Sequence, residues 1–344
     1  MTIETALDVA DPRWTNFISA RSDATIFHHP AWIGMLATCY GYKPRLAVSL
    51  DTAGQITAGI PWMEVHSHLT GRRGVALPFS DFCAPIVDYG AEVADLIRAL
   101  QNVRKECKLP RLEIRWPLPE QEQVYAGDTM LRHVTPLTHD PKQVARQFRS
   151  STMRLVRQAE KAALTVRVCK TWGEARWFYD LHLQTRRRLG VPIQPLRFFR
   201  LLWDQLLSKG LGFVLLAFKD HIPIAGAVFL QWNRILTYKY GASLSEYWAL
   251  RPNNLLFWHA IQLGCEADCQ LFDWGRTDIE DEGLSNFKRG WGSNELRLHY
   301  SILADQSPVR PKPTVVQHRL ASVVQRSPLW VGRLIGELLY GHFA

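Results

Sequence analysis

A polar segment, FDWGRTDIEDEGLSNFKRGWG at residues 272–292, combines the residue types that a buried ligand site requires. An apolar strand ends on Asp273 and Gly275, and an acidic loop leads from there to Phe287 and Lys288. A strand end holds a carboxylate in a fixed place, and glycines let a backbone approach a ligand closely. The segment predicts either a ligand site or an ordinary strand and loop with solvated charges.

Basic residues are concentrated in one part of the chain. Residues 142–200 hold 14 basic and 3 acidic residues, an excess of 11, whereas the whole chain of 344 residues has an excess of 41 − 32 = 9. A local basic block indicates an anionic partner such as a phosphate, a nucleic acid or a lipid head group. One predicted amphipathic helix, 141–163, places six cations opposite its apolar face, which is either solvated or a wall for such an anion: Lys142, Arg146, Arg149, Arg154, Arg157 and Lys161.

The segment TRRRLGVP at 185–192 offers a second anion contact. Arginine is the preferred bidentate clamp for carboxylate or phosphate, and Arg187 is the predicted clamp. The equally compatible alternative is a helix end, where arginines are favoured by the helix dipole and Gly190 is the C-terminal cap.

A strand and a helix start supply further candidates in the segment ILTYKYGASLSEYWALRPNNLLFW. Strand alternation predicts that Tyr238 and Tyr240 share one face and that Lys239 lies on the other. Asn253 and Asn254 open the following apolar helix, and the free N–H groups of a helix start attract anions. A capped helix without a ligand is the alternative.

The apolar pattern predicts an α/β fold with an internal duplication. Two hairpins, RLAVSLDTAGQITAGIPWMEV and FVLLAFKDHIPIAGAVFLQW, have the same strand–turn–strand order, and Ala58–Gly59 superposes on Ala225–Gly226. We predict an N-terminal unit over 1–140, a C-terminal unit with the active site over 141–304, and a linker with a helical tail over 305–344.

Composition excludes several classes of protein. The six cysteines are scattered and the N-terminus lacks an apolar signal region, which predicts a cytoplasmic protein with reduced thiols. Phosphate-loop, dinucleotide-binding and hydrolase-elbow motifs are missing. The pairs His66/His68 and Cys265/Cys269 lack the further ligands of a zinc site, so no metal is expected.

Nine short motifs occur in an order that resembles the FemAB-like branch of the GNAT acyltransferase superfamily, which includes FemAB-related, CelD-like proteins of cellulose biosynthesis. They lie between residues 11 and 303: HHPAW, GIPW, LPFSDFCAP, MRLVRQAEKAALTV, TRRRLGVP, YKYGAS, RPNNLLFWHAI, FDWGR and FKRGWG. The resemblance implies two tandem GNAT-like units, each a mixed sheet flanked by helices. The glycine-rich pyrophosphate loop of ordinary GNAT enzymes is replaced by RPNNLL, and the coiled-coil insertion of tRNA-binding members is missing.

The resemblance implies direct transfer of an acyl group to an amine, or to a hydroxyl, of a cell-envelope or exopolysaccharide precursor. No cofactor is expected to bind tightly, and the co-substrate is an acyl-CoA. Alternatives are an aminoacyl-tRNA-dependent ligase of peptidoglycan bridges, a non-catalytic protein that binds an anionic glycan or a lipid-linked precursor, and a nonspecific nucleic-acid-binding protein.

Roles for single residues follow from the resemblance and the candidate residues above. A backbone N–H near Gly226 or Ala227 would stabilise the oxyanion, and Tyr240 would protonate the leaving group. The remaining candidates divide into possible bases (Asp273, Asp81), donor-holding residues (Lys288, Phe287) and residues that hold a phosphate or carboxylate (Arg154, Arg157, Arg187, Asn253, Asn254).

The tail after residue 308 lies outside the duplicated units. A proline-containing linker precedes VVQHRLASVVQR and PLWVGRLIGELLYGHF, and the second segment places Trp330, Leu334 and Leu338 along one helical face. This face is expected either to contact the inner membrane surface, near a lipid-linked substrate, or to dock onto the protein's own core.

Overall fold

A computed structural model describes residues 2–88, 93–308 and 324–343 of the chain. The chain folds into two compact units. Unit 1 comprises Met1–Met130, Arg297–Pro311 and Gly341–Ala344, and unit 2 comprises Leu131–Leu296 and Lys312–Tyr340. The tail segment VVQHRLASVVQR lies almost entirely outside the described residues.

Unit 1 is a mixed sheet with three helices among its described residues. The strands follow the order β1-β2-β3-β4-β6, with β5 paired to β3 and the end of β13 paired to β6. Only β4 and β6 run parallel within this set. The elements are β1 (Thr2–Leu7), α1 (Pro12–Ser19), α2 (Pro30–Tyr40), β2 (Lys43–Leu50), β3 (Ile56–Ser67), β4 (Gly71–Val75), β5 (Ile86–Val87), α3 (Val93–Glu106) and β6 (Arg111–Ile114).

Unit 2 repeats this arrangement with strand order β7-β12-β11-β10-β9-β8. Strands β8 to β11 are antiparallel neighbours, and β11 and β12 are parallel. Two strands, β7 (Val124–Pro136) and β13 (Asn294–Ala304), contribute residues to both units. The other elements are α4 (Pro141–Ala145), α5 (Ser150–Lys161), β8 (Thr165–Val168), α6 (Trp172–Leu189), α7 (Leu196–Gln205), β9 (Gly212–Lys219), β10 (Ile222–Trp232), β11 (Ile235–Ser243), α8 (Pro252–Glu266), β12 (Leu271–Asp278), α9 (Glu282–Arg289) and α10 (Leu329–Leu339).

Both predicted hairpins form, as β2–β3 and β9–β10. The two superposed glycines also share an environment. A Cβ on Gly59 would meet the Trp14 ring of α1 at 2.8 Å, and a Cβ on Gly226 would meet Phe178 of α6 at 3.1 Å. In each unit an aromatic side chain from the first of the two helices before the hairpin therefore covers the second strand at its glycine, as expected for a duplicated unit.

The predicted helix over 141–163 is wrong in one respect, because it is two helices. The backbone of Arg149 is extended, with φ −62° and ψ 141°, and its N–H donates to the Gly290 carbonyl instead of continuing α4. Phe148 in the interruption packs edge-on against Trp291 at 5.2 Å. Tertiary contacts with the turn after α9 thus override the local helical pattern. The six predicted cations are all exposed.

Helix α10 docks onto unit 2 through its two glycines. Gly332 and Gly336 are buried, and the backbone of Ile193 lies against Gly336. The predicted stripe of Trp330, Leu334 and Leu338 is on the opposite, exposed face. Within the described ranges, no helix is both long and apolar enough to cross a membrane.

The two glycines of α10 should respond oppositely to alanine. A Cβ at position 336 would overlap the Ile193 carbonyl, whereas a Cβ at 332 meets only Leu183 Cδ1 at 3.6 Å. Gly336→Ala should destabilise unit 2 by about 1–3 kcal/mol through overpacking. Gly332→Ala should be neutral or stabilise the helix by up to about 1 kcal/mol. Urea unfolding of both variants tests this docking, and equal stability of the two would contradict it.

Candidate functional site

The parallel strands β11 and β12 pair over only three residues. Their register is Ile235 with Leu271, Leu236 with Phe272, and Thr237 with Asp273, and no pairing follows. A cavity of about 290 Å³ opens where they separate. Its walls come from α6, β10, β11, α8, β12 and α9: Thr185, Arg188, Gly226, Ala227, Tyr238, Gly241, Ala242, Ser243, Trp248, Asn253, Leu256, Phe257, Trp274, Leu284, Phe287 and Lys288.

Side chains of α6 occupy the strand edge of β11 that β12 leaves. Thr185 Oγ1 accepts from Ser243 N–H at 3.2 Å, and Arg188 Nη1 donates to Ser243 O at 3.0 Å. His182 lies one turn earlier, beside the Gly241 backbone, and its Nε2 is 3.1 Å from Gln194 Oε1. Burial lowers the pKa of His182 to about 3, so the ring is neutral at physiological pH.

The backbone N–H of Gly241 points into the gap between the strands. Gly226 pairs with Ala242, and the Leu244 N–H donates to Ile224 O of β10. Tyr240, Ala242 and Leu244 therefore direct their backbone N–H and C=O groups toward β10. The intervening residue, Gly241, therefore directs its N–H and C=O away from β10. Gly241 also lines the cavity, which gives the cavity a backbone donor on the open strand edge.

The predicted oxyanion donors are wrong for the same geometric reason. Gly226 and Ala227 line the cavity, but β10 is a central strand at both positions. Each residue pairs with β11 on one side and with β9 on the other. Their N–H groups therefore belong to sheet hydrogen bonds, and the open donor lies on β11 instead.

The start of α8 forms one end of the cavity. Arg251 is its N-terminal cap with φ +60°, and no side chain caps the helix. Asn253 lines the cavity, whereas Asn254 is buried and does not. Pro252 has no N–H and the Asn254 N–H donates to the Arg251 carbonyl at 3.1 Å, so this first turn offers an anion the Asn253 N–H and the positive end of the helix dipole. Arg188 supplies a cation here, with its guanidinium 4.6 Å from the Trp248 ring centroid.

Of the three consecutive arginines, the structure brings Arg188 into the cavity and not Arg187. Arg186 donates twice to the Pro192 carbonyl, at 2.9 and 2.7 Å. Arg187 lies in a separate groove with Val191 and Leu329. Arg188 follows Thr185 by three residues, and this i, i+3 spacing was the signal that could have identified it.

The two tyrosines of β11 lie on opposite faces, contrary to the prediction. The register with β10 shifts at Lys239, since Val228 pairs with Tyr240 and Phe229 with Tyr238. Such a β-bulge reverses the alternation beyond it. The ring of Tyr238 therefore packs on Phe257 of α8 at 4.8 Å and lines the cavity, while Tyr240 packs on α6 and α7 and does not.

Lys288 and Phe287 reach the cavity as the sequence indicates, but the Lys288 ammonium also fastens β12. It is buried and donates to Gly275 O and Arg276 O, both at 3.2 Å, and to Thr277 Oγ1 at 2.8 Å. These acceptors match the three donors of an ammonium group. Lys288 thus holds the diverging end of β12 in place.

Asp273 is a structural carboxylate in this fold. It is 1% exposed, its Oδ2 accepts from Arg132 Nη2 at 2.7 Å and Nε at 3.0 Å, and its Oδ1 accepts from Gly275 N–H at 2.8 Å. It does not line the cavity. The ion pair with Arg132 of β7 could not be read from the sequence, because 141 residues separate the partners.

The remaining predicted residues also lie away from the cavity. Arg154 and Arg157 are exposed on α5. Asp81 belongs to unit 1, in the segment between β4 and β5, where its carbonyl accepts from Tyr300 Oη at 2.6 Å. The structure does not bring these three residues together with the cavity-lining set.

Part of unit 2 matches a known protein family. Residues 146–289, which include every cavity-lining residue, match the family described as an acetyltransferase (GNAT) domain. None of the curated proteins matches the sequence. The predicted fold of two tandem GNAT-like units is confirmed, and the resemblance to the FemAB-like branch agrees with the structural likeness to FemX.

Three solved structures share this fold over most of their length. FemX is 15% identical and aligns over 89% of this chain and 98% of its own, with a TM-score of 0.69. The C-terminal domain of a putative lysylphosphatidylglycerol synthetase from Agrobacterium fabrum is 13% identical. It aligns over 95% of this chain and 97% of its own, with a TM-score of 0.58. A tandem GNAT protein from the clavulanic acid biosynthesis pathway is 11% identical. It aligns over 90% of this chain and 100% of its own, with a TM-score of 0.57. At these identities the likeness establishes a GNAT/FemX-like acyltransferase fold.

Proposed function

We propose that the protein is an acyltransferase that binds an acyl-CoA in the unit 2 cavity and transfers the acyl group to an amine, or to a hydroxyl. The observation that carries this proposal is the open edge of β11 at Gly241, where β11 and β12 separate. The match to a family of acetyltransferase domains covers the same residues. A cell-envelope or exopolysaccharide precursor as the acceptor rests on the FemAB-like resemblance.

The cavity offers complementary ends for the donor. The uncapped start of α8, with Arg188 nearby, suits the pyrophosphate of CoA in place of the missing glycine-rich loop. The apolar side chains of Phe257, Trp274 and Phe287 suit the thioester end. A donor that spans both ends lies along the open edge of β11.

The chemistry assigned to this arrangement is direct acyl transfer. The acceptor nitrogen attacks the thioester carbon, and the Gly241 N–H donates to the carbonyl oxygen as its negative charge develops. The C–S bond then breaks, Tyr238 protonates the leaving thiolate, and the attacking amine gives up its proton to solvent or to a base on the acceptor side. The Tyr238 hydroxyl lies against Gly241, which places it beside the reacting carbonyl.

A covalent acyl-enzyme is not part of the proposal. No cysteine is among the residues that line the cavity, and the buried thiols of unit 2 are poor nucleophiles. Burial raises the pKa of Cys265 and Cys269 to about 11 and that of Cys169 to about 12. Such thiols remain protonated at neutral pH, and the thiolate is the nucleophilic form.

Aminoacyl transfer from tRNA is the second candidate function. It is favoured by one observation, the six exposed cations of α4, α5 and their connection, which include Arg154 and Arg157. An extended cationic surface on the same unit as the cavity suits a nucleic-acid backbone. Acyl-CoA, by contrast, requires only the cavity.

Arg188→Met should weaken acetyl-CoA binding about 10–100-fold, because a hydrogen bond to a charged group contributes about 1.5–3 kcal/mol. Arg187→Met is the matched control, since the neighbouring arginine lies outside the cavity, and its affinity should stay within about twofold. Titration calorimetry measures both, with melting temperatures to verify folding. Binding of charged tRNA but not of acyl-CoA would favour the second candidate, and equal losses in both variants would contradict the assigned site.

Tyr238→Phe should lower kcat about 100-fold with little change in KM, as expected for loss of a general acid. Tyr240→Phe removes a hydroxyl from the other face of the same strand and should leave kcat near the wild-type value. Release of CoA thiol with a generic amine acceptor reports the rate. A larger effect of Tyr240→Phe would return the acid role to the residue predicted from the sequence.

A further inference from the structure

Helix α10 exposes an apolar stripe that the fold does not use. Trp330, Leu334 and Leu338 are 66%, 51% and 63% exposed, and their i, i+4, i+8 spacing aligns them on one face. The opposite face holds the buried glycines Gly332 and Gly336. Single exposed apolar residues are common, but three aligned on one helix mark an interaction surface.

The surroundings of this stripe are basic. Arg187 lines the groove that also contains Leu329 and Gly332, and Arg326 is exposed just before α10. Arg333 lies within α10, with its guanidinium 5.7 Å from the Tyr179 ring centroid. The acidic residue of α10, Glu337, is 3.7 Å from Arg197. Arg326 and Arg333 therefore lie close to the stripe in sequence, Arg187 lies on the glycine side of the helix, and the carboxylate of α10 is paired with Arg197.

We propose that α10 docks the protein onto an anionic lipid bilayer, with the helix lying in the plane of the membrane surface. The stripe would enter the boundary between head groups and acyl chains, where tryptophan is favoured. Arg326 and Arg333 would face lipid phosphates, and the chain's net charge of +9 adds a long-range attraction. The inference does not depend on the reaction at the cavity.

Charge also argues against a second copy of the chain as the occupant. In a two-fold symmetric dimer the same patch meets itself, so the arginines at 326 and 333 would approach their own copies. Like charges across an interface oppose association, whereas an anionic bilayer neutralises them. A lipid surface satisfies both the apolar stripe and these two arginines.

The test is vesicle flotation of the full chain. Vesicles of equal parts phosphatidylglycerol and phosphatidylcholine are compared with vesicles of phosphatidylcholine alone. The wild type should float with the anionic vesicles and dissociate as salt rises from 50 to 500 mM, values chosen so that the Debye length falls well below 10 Å. Trp330→Ser/Leu334→Ser/Leu338→Ser should lower the bound fraction at least tenfold, as expected for lost apolar burial.

A matched control removes three exposed apolar side chains elsewhere. Leu69, Ile222 and Leu296 are 62%, 52% and 48% exposed, and their triple serine variant should float like the wild type. Circular dichroism verifies that both triple variants fold. Arg188→Met, which alters only the proposed donor site, should also float normally, so failure of the reaction and failure of docking are distinguishable.

Three outcomes would overturn the proposal. The wild type does not float with anionic vesicles, the stripe variant floats as well as the wild type, or both triple variants lose binding equally. A wild-type dimer in sedimentation that the stripe variant disrupts, without flotation, would assign the stripe to a second copy instead.

Discussion

The separation of two parallel strands is the constraint on which the site depends. When β11 and β12 part after Thr237 and Asp273, backbone groups on both strands lose their sheet partners. A buried backbone polar group without a partner costs about as much as a lost hydrogen bond, so each must be satisfied otherwise. On β11, Thr185 and Arg188 bind the backbone of Ser243. On β12, Lys288 binds the carbonyls of Gly275 and Arg276.

The edge of β11 is therefore open to the cavity at one place. The partners from α6 cover Ser243, while Gly241, two residues earlier, directs its backbone N–H away from β10 and lines the cavity. The same side chains that stabilise the gap also shape it, because Thr185, Arg188 and Lys288 all line the cavity. Structural support and ligand contact are therefore not separable roles for these residues, and variants at them require a stability control.

Unit 1 treats the equivalent place differently, which is why one site is proposed and not two. Its parallel strands β4 and β6 also pair briefly, at Gly74 with Leu112 and Val75 with Glu113. The chain after β4 then fills the gap itself. Cys83 N–H donates to Arg115 O at 3.1 Å, and Arg115 Nη1 donates to Ser80 O at 2.7 Å. Both units therefore share the fold, while a cavity lies between the separated strands of unit 2.

Local patterns predicted the hairpins, the duplicated glycines and the cavity residues Phe287, Lys288 and Asn253. These features depend on strand alternation, turns and helix starts within about 20 residues of sequence. The misplaced residues each depend on something not local. The bulge at Lys239 is set by pairing with β10, which moved the tyrosine facing the cavity from 240 to 238.

Two further differences have the same kind of cause. The sequence predicts Asp273 as a base, but in the structure its carboxylate forms an ion pair with Arg132. The sequence predicts one continuous helix over 141–163, but the Arg149 N–H donates to the Gly290 carbonyl and the helix is interrupted there. Neither a carboxylate nor a run of helix-forming residues indicates in the sequence which distant residue it will contact.

The most direct test of the account is a crystal structure with a non-hydrolysable thioether analogue of acetyl-CoA that keeps the carbonyl. The account predicts the pyrophosphate at the start of α8 near Arg188, and the carbonyl oxygen within about 3 Å of the Gly241 nitrogen, as in any oxyanion site. An analogue bound outside the gap between β11 and β12, or bound there with its carbonyl directed away from Gly241, would contradict the central claim.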